Sequence, residues 1–140
     1  MPASLRERVL EAIDSIQDPC SLAQAVPVGL SEMGLVTDVS FGEPGEDGRR
    51  DVALTLRVTA PGCMYVPFMD RSIRAAVGEL EEIGEIATDW DPDAEWSLTD
   101  ISAPAQKRIA EARERRLARA RERKLATARE RRPATATAGR

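Results

Sequence analysis

Thr59-Ala60-Pro61-Gly62-Cys63 is the segment of this chain best suited to chemistry. An alternating apolar run precedes it and helical spacing follows it. That puts the cysteine at a strand-to-helix junction, on the predicted first turn of the helix. Free backbone N–H groups and the positive end of the helix dipole favour a thiolate there, the form of cysteine that binds metals and attacks electrophiles. Pro61 and Gly62 shape the turn and let backbone approach closely. The competing reading makes Cys63 a small apolar residue under the helix, since free cysteine is among the most buried types. The other cysteine, Cys20, follows Asp18-Pro19 at a second element boundary. Two thiolates do not close a four-ligand zinc or iron–sulfur site. A symmetric homodimer would supply four; otherwise water or a carboxylate such as Asp18 or Asp38 would complete a labile site, suited to transfer more than storage.

The 140 residues contain no histidine, which excludes Ser-His-Asp and Cys-His triads, histidine zinc sites and histidine general bases. Asp89, Asp91, Asp93 and Glu95 could in principle pair for hydrolysis, but no motif aims two of them into a cleft, and a solvated acidic loop is the simpler reading. Gly42, Gly45 and Gly48 lie among acids that repel phosphate, and neither a Walker loop nor a dinucleotide fingerprint is present.

The elements that must position Cys63 follow from periodicity. Ser4 with Glu7 reads as a capping box. Leu5, Val9, Ile13 and Ile16 then form one helical face, stopped at Asp18-Pro19. Residues 20–35 lack a clean period and read as an ordered loop packed by Leu22, Val26, Val28, Leu30, Met33 and Leu35. Val39 and Phe41 alternate with Asp38 and Ser40, a polar turn spans Gly42–Gly48, and Val52, Leu54, Leu56 and Val58 alternate again: a β-hairpin. Val66, Met69, Ile73, Val77, Leu80 and Ile83 predict a second helix ended by Gly84. Ile86, Thr88 and Trp90 predict a third strand, and Trp96 and Ile101 a segment folded back on the body. The expected fold is α/β of the α+β type, a small two-layer sandwich in the order helix, strand, strand, helix, strand, with two helices on one face of a mixed sheet.

The net charge of −4 divides sharply at Pro104. Residues 1–104 carry 7 Lys+Arg against 20 Asp+Glu, and residues 105–140 carry 13 against 4. Two domains are expected: an acidic body, 1–104, and a basic helical tail, 105–140, starting near Ser102 and Pro104 and fraying at Pro133. The tail repeats every eight residues, from Ala112, Ala120 and Ala128. Such a period drifts by about 80° per repeat on an α-helix, so Leu117 and Leu125 build no coiled-coil stripe. The net +9 could release counterions from nucleic acid, but the tail has no interleaved aromatics and each repeat holds a glutamate. An acidic partner, or the acidic body itself, is an equal match. The start Met1–Arg8 lacks an apolar h-region, and no run approaches the roughly 18 to 20 apolar residues of a membrane span. The expected location is the cytoplasm, with no membrane partner and reduced thiols.

From Leu5 to Ile109 the chain resembles the metal–sulfur cluster biosynthetic family that includes the PaaD and SufT proteins. The carriers are Asp18-Pro19, Met33-Gly34-Leu35-Val36, Thr55-Leu56 with Thr59-Ala60-Pro61-Gly62-Cys63, and Trp96-Ser97-Leu98-Thr99-Asp100-Ile101-Ser102. The resemblance implies a two-layer α/β fold and a part in maturing iron–sulfur proteins, the PaaD branch being associated with a multicomponent oxygenase. It implies a maturation factor instead of a turnover enzyme, a transient iron–sulfur cluster or iron, and a client metalloenzyme and cluster assembly proteins as partners. It also makes Cys63 the reactive or cluster-related residue. Cys20 would assist, and Asp18, Thr59, Pro61 and Gly62 would shape the site. Two departures stand out. Cys20 occupies a position usually acidic in the family, exchanging a hard ligand for a soft one. Cys63-Met64, with Pro67 further on, replaces the commoner Cys-Pro. The rival readings are a protein–protein adaptor in which Cys63 only packs, and a nucleic-acid-associated module acting through the tail.

Overall fold

The computed structural model describes residues 2–18, 26–60 and 62–131. Cys20, Leu22, Pro61 and Pro133 lie outside the described residues. Contacts divide the chain into two units, Met1–Ala105 and Gln106–Arg140.

In the first unit, helix α1 spans Leu5–Asp14 and opens on the expected capping box. Ser4 Oγ accepts the Glu7 N–H at 3.1 Å, and Glu7 Oε2 accepts the Ser4 N–H at 2.9 Å. The helix stops one turn earlier than its apolar spacing predicts. Ile16 is buried but belongs to the exit, where its carbonyl accepts the Leu30 N–H, and the Asp18 N–H donates to Val28 O at 2.9 Å. A short antiparallel bridge from Gln17 to Gly29 thus replaces the last helical turn.

Strands β1 (Val36–Phe41) and β2 (Arg50–Leu56) form the predicted hairpin. Helix α2 (Val66–Gly78) carries the chain to β3 (Ile83–Trp90), which pairs parallel to β2. A parallel pair needs such a crossover, because its strand ends lie at opposite edges of the sheet. The sheet order is β1-β2-β3. Ile83, expected at the end of the second helix, instead opens β3. A bulge between Arg50 and Val52 turns its side chain into the core.

The core lies between one face of this mixed sheet and the two helices. Val9 and Ile13 of α1, Met69, Ile73 and Val77 of α2, and Val39, Val52, Leu54 and Leu56 of the strands are all buried. Burying each aliphatic chain of this kind contributes about 1.5–3 kcal/mol before chain entropy is subtracted. Arg8 of α1 pairs with Glu82 in the turn after α2. The opposite sheet face is open: Asp38, Ser40, Asp51, Ala53, Glu85, Ala87 and Asp89 are all exposed.

Helix α3 spans Ala103–Arg131, and Ser102 Oγ accepts the Ala105 N–H at its start. Past Ala105 it makes up the described part of the second unit, and its leucines Leu117 and Leu125 are exposed. No helix among the described residues is long and apolar enough to cross a membrane.

Candidate functional site

Three segments converge at the carboxyl end of the parallel pair β2 and β3, the edge where ligand sites of open sheets with parallel strands gather. They are the turn 29–35, the crossover segment 57–65 and the strap 95–102. Asp14, the last residue of α1, fixes the first turn: its carboxylate accepts the N–H groups of Ser31 and Glu32 and the Ser31 hydroxyl. Gly34 follows with φ +79°, where an added Cβ would collide with the Asp100 carbonyl.

Arg57, the first residue past β2, ties all three segments together. Its N–H donates to Leu35 O at 2.8 Å, its Nε to Gly34 O at 2.7 Å and its Nη1 to Glu95 O at 2.7 Å. Its Nη2 pairs with Asp100 Oδ1 at 3.2 Å. The Ser97 N–H, seconded by Arg57, holds the Asp100 carboxyl below the ordinary carboxylate range. The strap is further secured by Trp96 Nε1 donating to Met33 O at 2.6 Å and by the Ser102 N–H donating to Glu32 O at 2.7 Å.

On this frame the crossover segment presents Thr59, half-buried, Gly62, exposed with φ +74°, and Cys63, a half-buried free thiol. Cys63 does not stand on the first turn of α2 as expected. The helix begins at Val66 with Tyr65 in the capping position and Pro67 in its first turn, where a missing N–H is harmless. The dipole therefore acts on the residues after Cys63, and the thiol sits in a turn ahead of the helix. Asp18 is 3% exposed, placed beside Val28 in the chain leading to the 29–35 turn. Cys20 and Pro61 fall outside the described residues. Among the described residues, no group of three or more cysteine and acidic side chains could hold a metal ion.

Sequence reasoning assigned no role to several residues here. Met64, Tyr65 and Phe68 flank Cys63 with 89%, 51% and 53% exposure, an apolar surface beside the thiol. Their departure from the buried period Met69, Ile73, Val77 was the available signal. Asp70, on the next turn of α2, accepts from Thr88 Oγ1 at 2.6 Å, Trp90 Nε1 at 2.9 Å and Arg74 Nε at 2.9 Å. Burial pushes its carboxyl up, but those three donors outweigh it and the net direction is down. Asp70 thereby fixes the start of α2, and the turn before it, to the end of β3.

A family model described as iron-sulfur cluster assembly protein matches residues 6–88. The match includes Asp18, Cys20 and the 59–63 turn, and ends before the strap. The chain is similar to the Fe-S protein maturation auxiliary factor YitW of Bacillus subtilis (strain 168), 29% identical over 108 residues, covering 76% of this chain and 94% of that protein. An Fe-S protein maturation auxiliary factor of Porphyromonas gingivalis (strain ATCC BAA-308 / W83) is 23% identical over 103 residues, covering 74% and 89%. Among solved structures, a domain of unknown function from Bacillus anthracis superposes with a TM-score of 0.60 at 19% identity, covering 76% of this chain and 92% of that one, a likeness of fold.

Proposed function

Proceeding from the iron–sulfur cluster assembly protein family, to which this chain belongs, we propose that it is an assembly or delivery factor for the maturation of iron–sulfur or other iron-dependent enzymes, an oxygenase among the candidate clients. It acts in the cytoplasm through Cys63, assisted by Cys20, on a cluster or iron that is cargo and not a resident cofactor. The setting of Cys63 carries this reading. A free, half-buried thiol lies in a turn at the carboxyl end of the parallel strands, bordered by exposed Met64, Tyr65 and Phe68. Such a border gives a client or donor protein an apolar landing surface within reach of the sulfur. The maturation role of the curated relatives supports the same assignment.

Within this scheme Arg57 and the strap hold the crossover segment still from one side, and Asp70 holds α2 from the other. Cys63 then meets its cargo from a fixed platform, and Asp18, Thr59, Pro61 and Gly62 set the local shape. Two thiols per chain undersupply a four-ligand cluster, which favours handing the cargo on.

The test is anaerobic reconstitution of wild type, Cys63→Ala and Cys20→Ala, with iron and acid-labile sulfide measured per chain. Wild type is expected to load both and Cys63→Ala to lose them, with the Cys20 variant reporting whether that thiol is a ligand. A wild type that stays empty, under conditions that load a control cluster protein, overturns carriage and leaves a protein–protein adaptor.

A further inference from the structure

The open face of the sheet and the basic helix are the two large features that cluster chemistry leaves without a role. On the open face the strand register aligns three rows. Asp38, Thr55 and Asp89 form one row, and Ser40, Ala53 and Ala87 the next. Asp51 and Glu85 follow at the hairpin end, where Asp51 Oδ1 also accepts the Glu85 N–H at 2.8 Å. The middle row is small and flat. The rows on either side are acidic, and Asp38, Glu85 and Asp89 form no ion pair with another described residue. The two acidic rows stand four residues apart along β2, about 13 Å.

Helix α3 supplies the opposite pattern. At 100° per residue, Arg113, Arg116, Ala120, Arg123, Lys124, Thr127 and Arg131 fall within an arc of about 100°. Glu111, Glu114 and Glu122 lie on the other side, and Glu130 sits at the margin. Along this face Arg113 with Arg116, Arg123 with Lys124, and Arg131 form three basic groups whose centres are about 11–14 Å apart, with Ala120 and Thr127 between them. An arginine side chain reaches far enough to absorb the difference from 13 Å. The small residues of the helix match the small row of the sheet in spacing, and its basic residues match the acidic rows in spacing and in charge. Within the helix, residues 105–131 contain neither glycine nor proline, the residues at which helices most often kink.

We propose that the open sheet face is the docking surface for the basic helix of a second copy of this chain. Each copy carries one acidic face and one basic helix, so a two-fold pair satisfies both reciprocally and closes. The pairing does not depend on the cysteines, and its failure would leave the maturation reading untouched.

The test is sedimentation velocity of the full chain at 50 mM and 500 mM salt, beside a face variant (Asp38→Lys with Asp89→Lys) and a helix variant (Arg113→Glu, Arg123→Glu, Lys124→Glu and Arg131→Glu). Wild type should sediment as a dimer of 15.3 kDa chains at low salt and fall apart at high salt. Each variant alone should be monomeric, with circular dichroism and a melting temperature close to wild type. An equimolar mixture should recover the dimer, because each variant's face then matches the other's helix. A neutral pair, Asp38→Asn with Asp89→Asn, keeps the test valid if the lysines disturb folding, and should weaken the dimer several-fold. A wild type that is monomeric at 100 μM chain and low salt overturns the proposal, whether the helix serves its own sheet or shifts a labelled DNA duplex instead. A dimer indifferent to both variants overturns it equally.

Discussion

Replacing Gly34 by alanine tests whether the strap is fastened where the geometry places it. Gly34 combines two constraints: φ of +79°, and an added Cβ that would strike the Asp100 carbonyl and lie 2.9 Å from the Asp100 Cβ. The left-handed backbone alone costs an L-residue about 1–2 kcal/mol. Overpacking against main chain that cannot swing aside adds about 1–3 kcal/mol. Gly62 is the internal control, since it shares the positive φ, +74°, but an added Cβ there would meet nothing within 4 Å. Gly62→Ala should therefore cost only the backbone part, about 1 kcal/mol, and Gly34→Ala about 3 kcal/mol or more. At an m-value near 1.5 kcal/mol/M in urea, the midpoints should fall by about 0.7 M and 2 M respectively. The assay is equilibrium unfolding followed by tryptophan fluorescence, which also reads the strap directly because Trp96 donates to Met33 O in the adjacent turn. Equal midpoints for the two variants would refute the packing of the strap on Gly34, leaving only a shared backbone effect.

Arg57→Met removes the side-chain bonds to Gly34 O, Glu95 O and Asp100 from a side chain only 17% exposed. It should destabilise by about 2–3 kcal/mol and move the Asp100 titration, followed by carboxyl carbon NMR, upward. Arg57→Lys should recover less than half of the loss, since an ammonium cannot span the same acceptors; full recovery would sink the three-way tie. Asp70 has a folded pKa below its unfolded one. Its contribution is therefore complete above the ordinary carboxylate range and drains away as pH falls through the lower folded value. Asp70→Asn should cost about 1 kcal/mol near neutrality and flatten the stability profile below about pH 4, measured by urea titrations at stepped pH. An unchanged acid limb would show that the Thr88, Trp90 and Arg74 contacts do not favour the ionised form.

The fold was legible in the sequence wherever one face of an element is buried and the other is wet. Val39 with Phe41, and Val52 with Leu54 and Leu56, alternate because their strands have an open polar side, and Met69, Ile73 and Val77 mark the one buried stripe of α2. Element ends were harder to read. Ile16 and Ile83 continue a helical period, yet each leaves its helix to serve a pairing that only tertiary structure creates, the Gln17–Gly29 bridge in one case and the bulged start of β3 in the other. For the site, residue types pointed to Cys63 and the turn around it. The tie at Arg57 escaped notice because two of its three side-chain partners are main-chain carbonyls, from residues 34 and 95, and the third, the Asp100 carboxylate, lies 43 residues away in the chain. Carbonyls leave no mark on side-chain spacing. The strap itself was visible only as Trp96 and Ile101 among acids, enough to predict that it returns but not where it lands.

Those carbonyl acceptors bear on how freely this corner of the protein can diverge. Glu32, Met33 and Glu95 hold the strap and Arg57 through main-chain oxygens, so exchanging their side chains leaves the acceptors in place. Gly34 and Arg57, by contrast, act through what the residue itself is. A lineage could rewrite the exposed border of the thiol to suit a new client, while Gly34 and Arg57, with the side-chain anchors Asp14, Trp96 and Asp100, keep the scaffold beneath it in register.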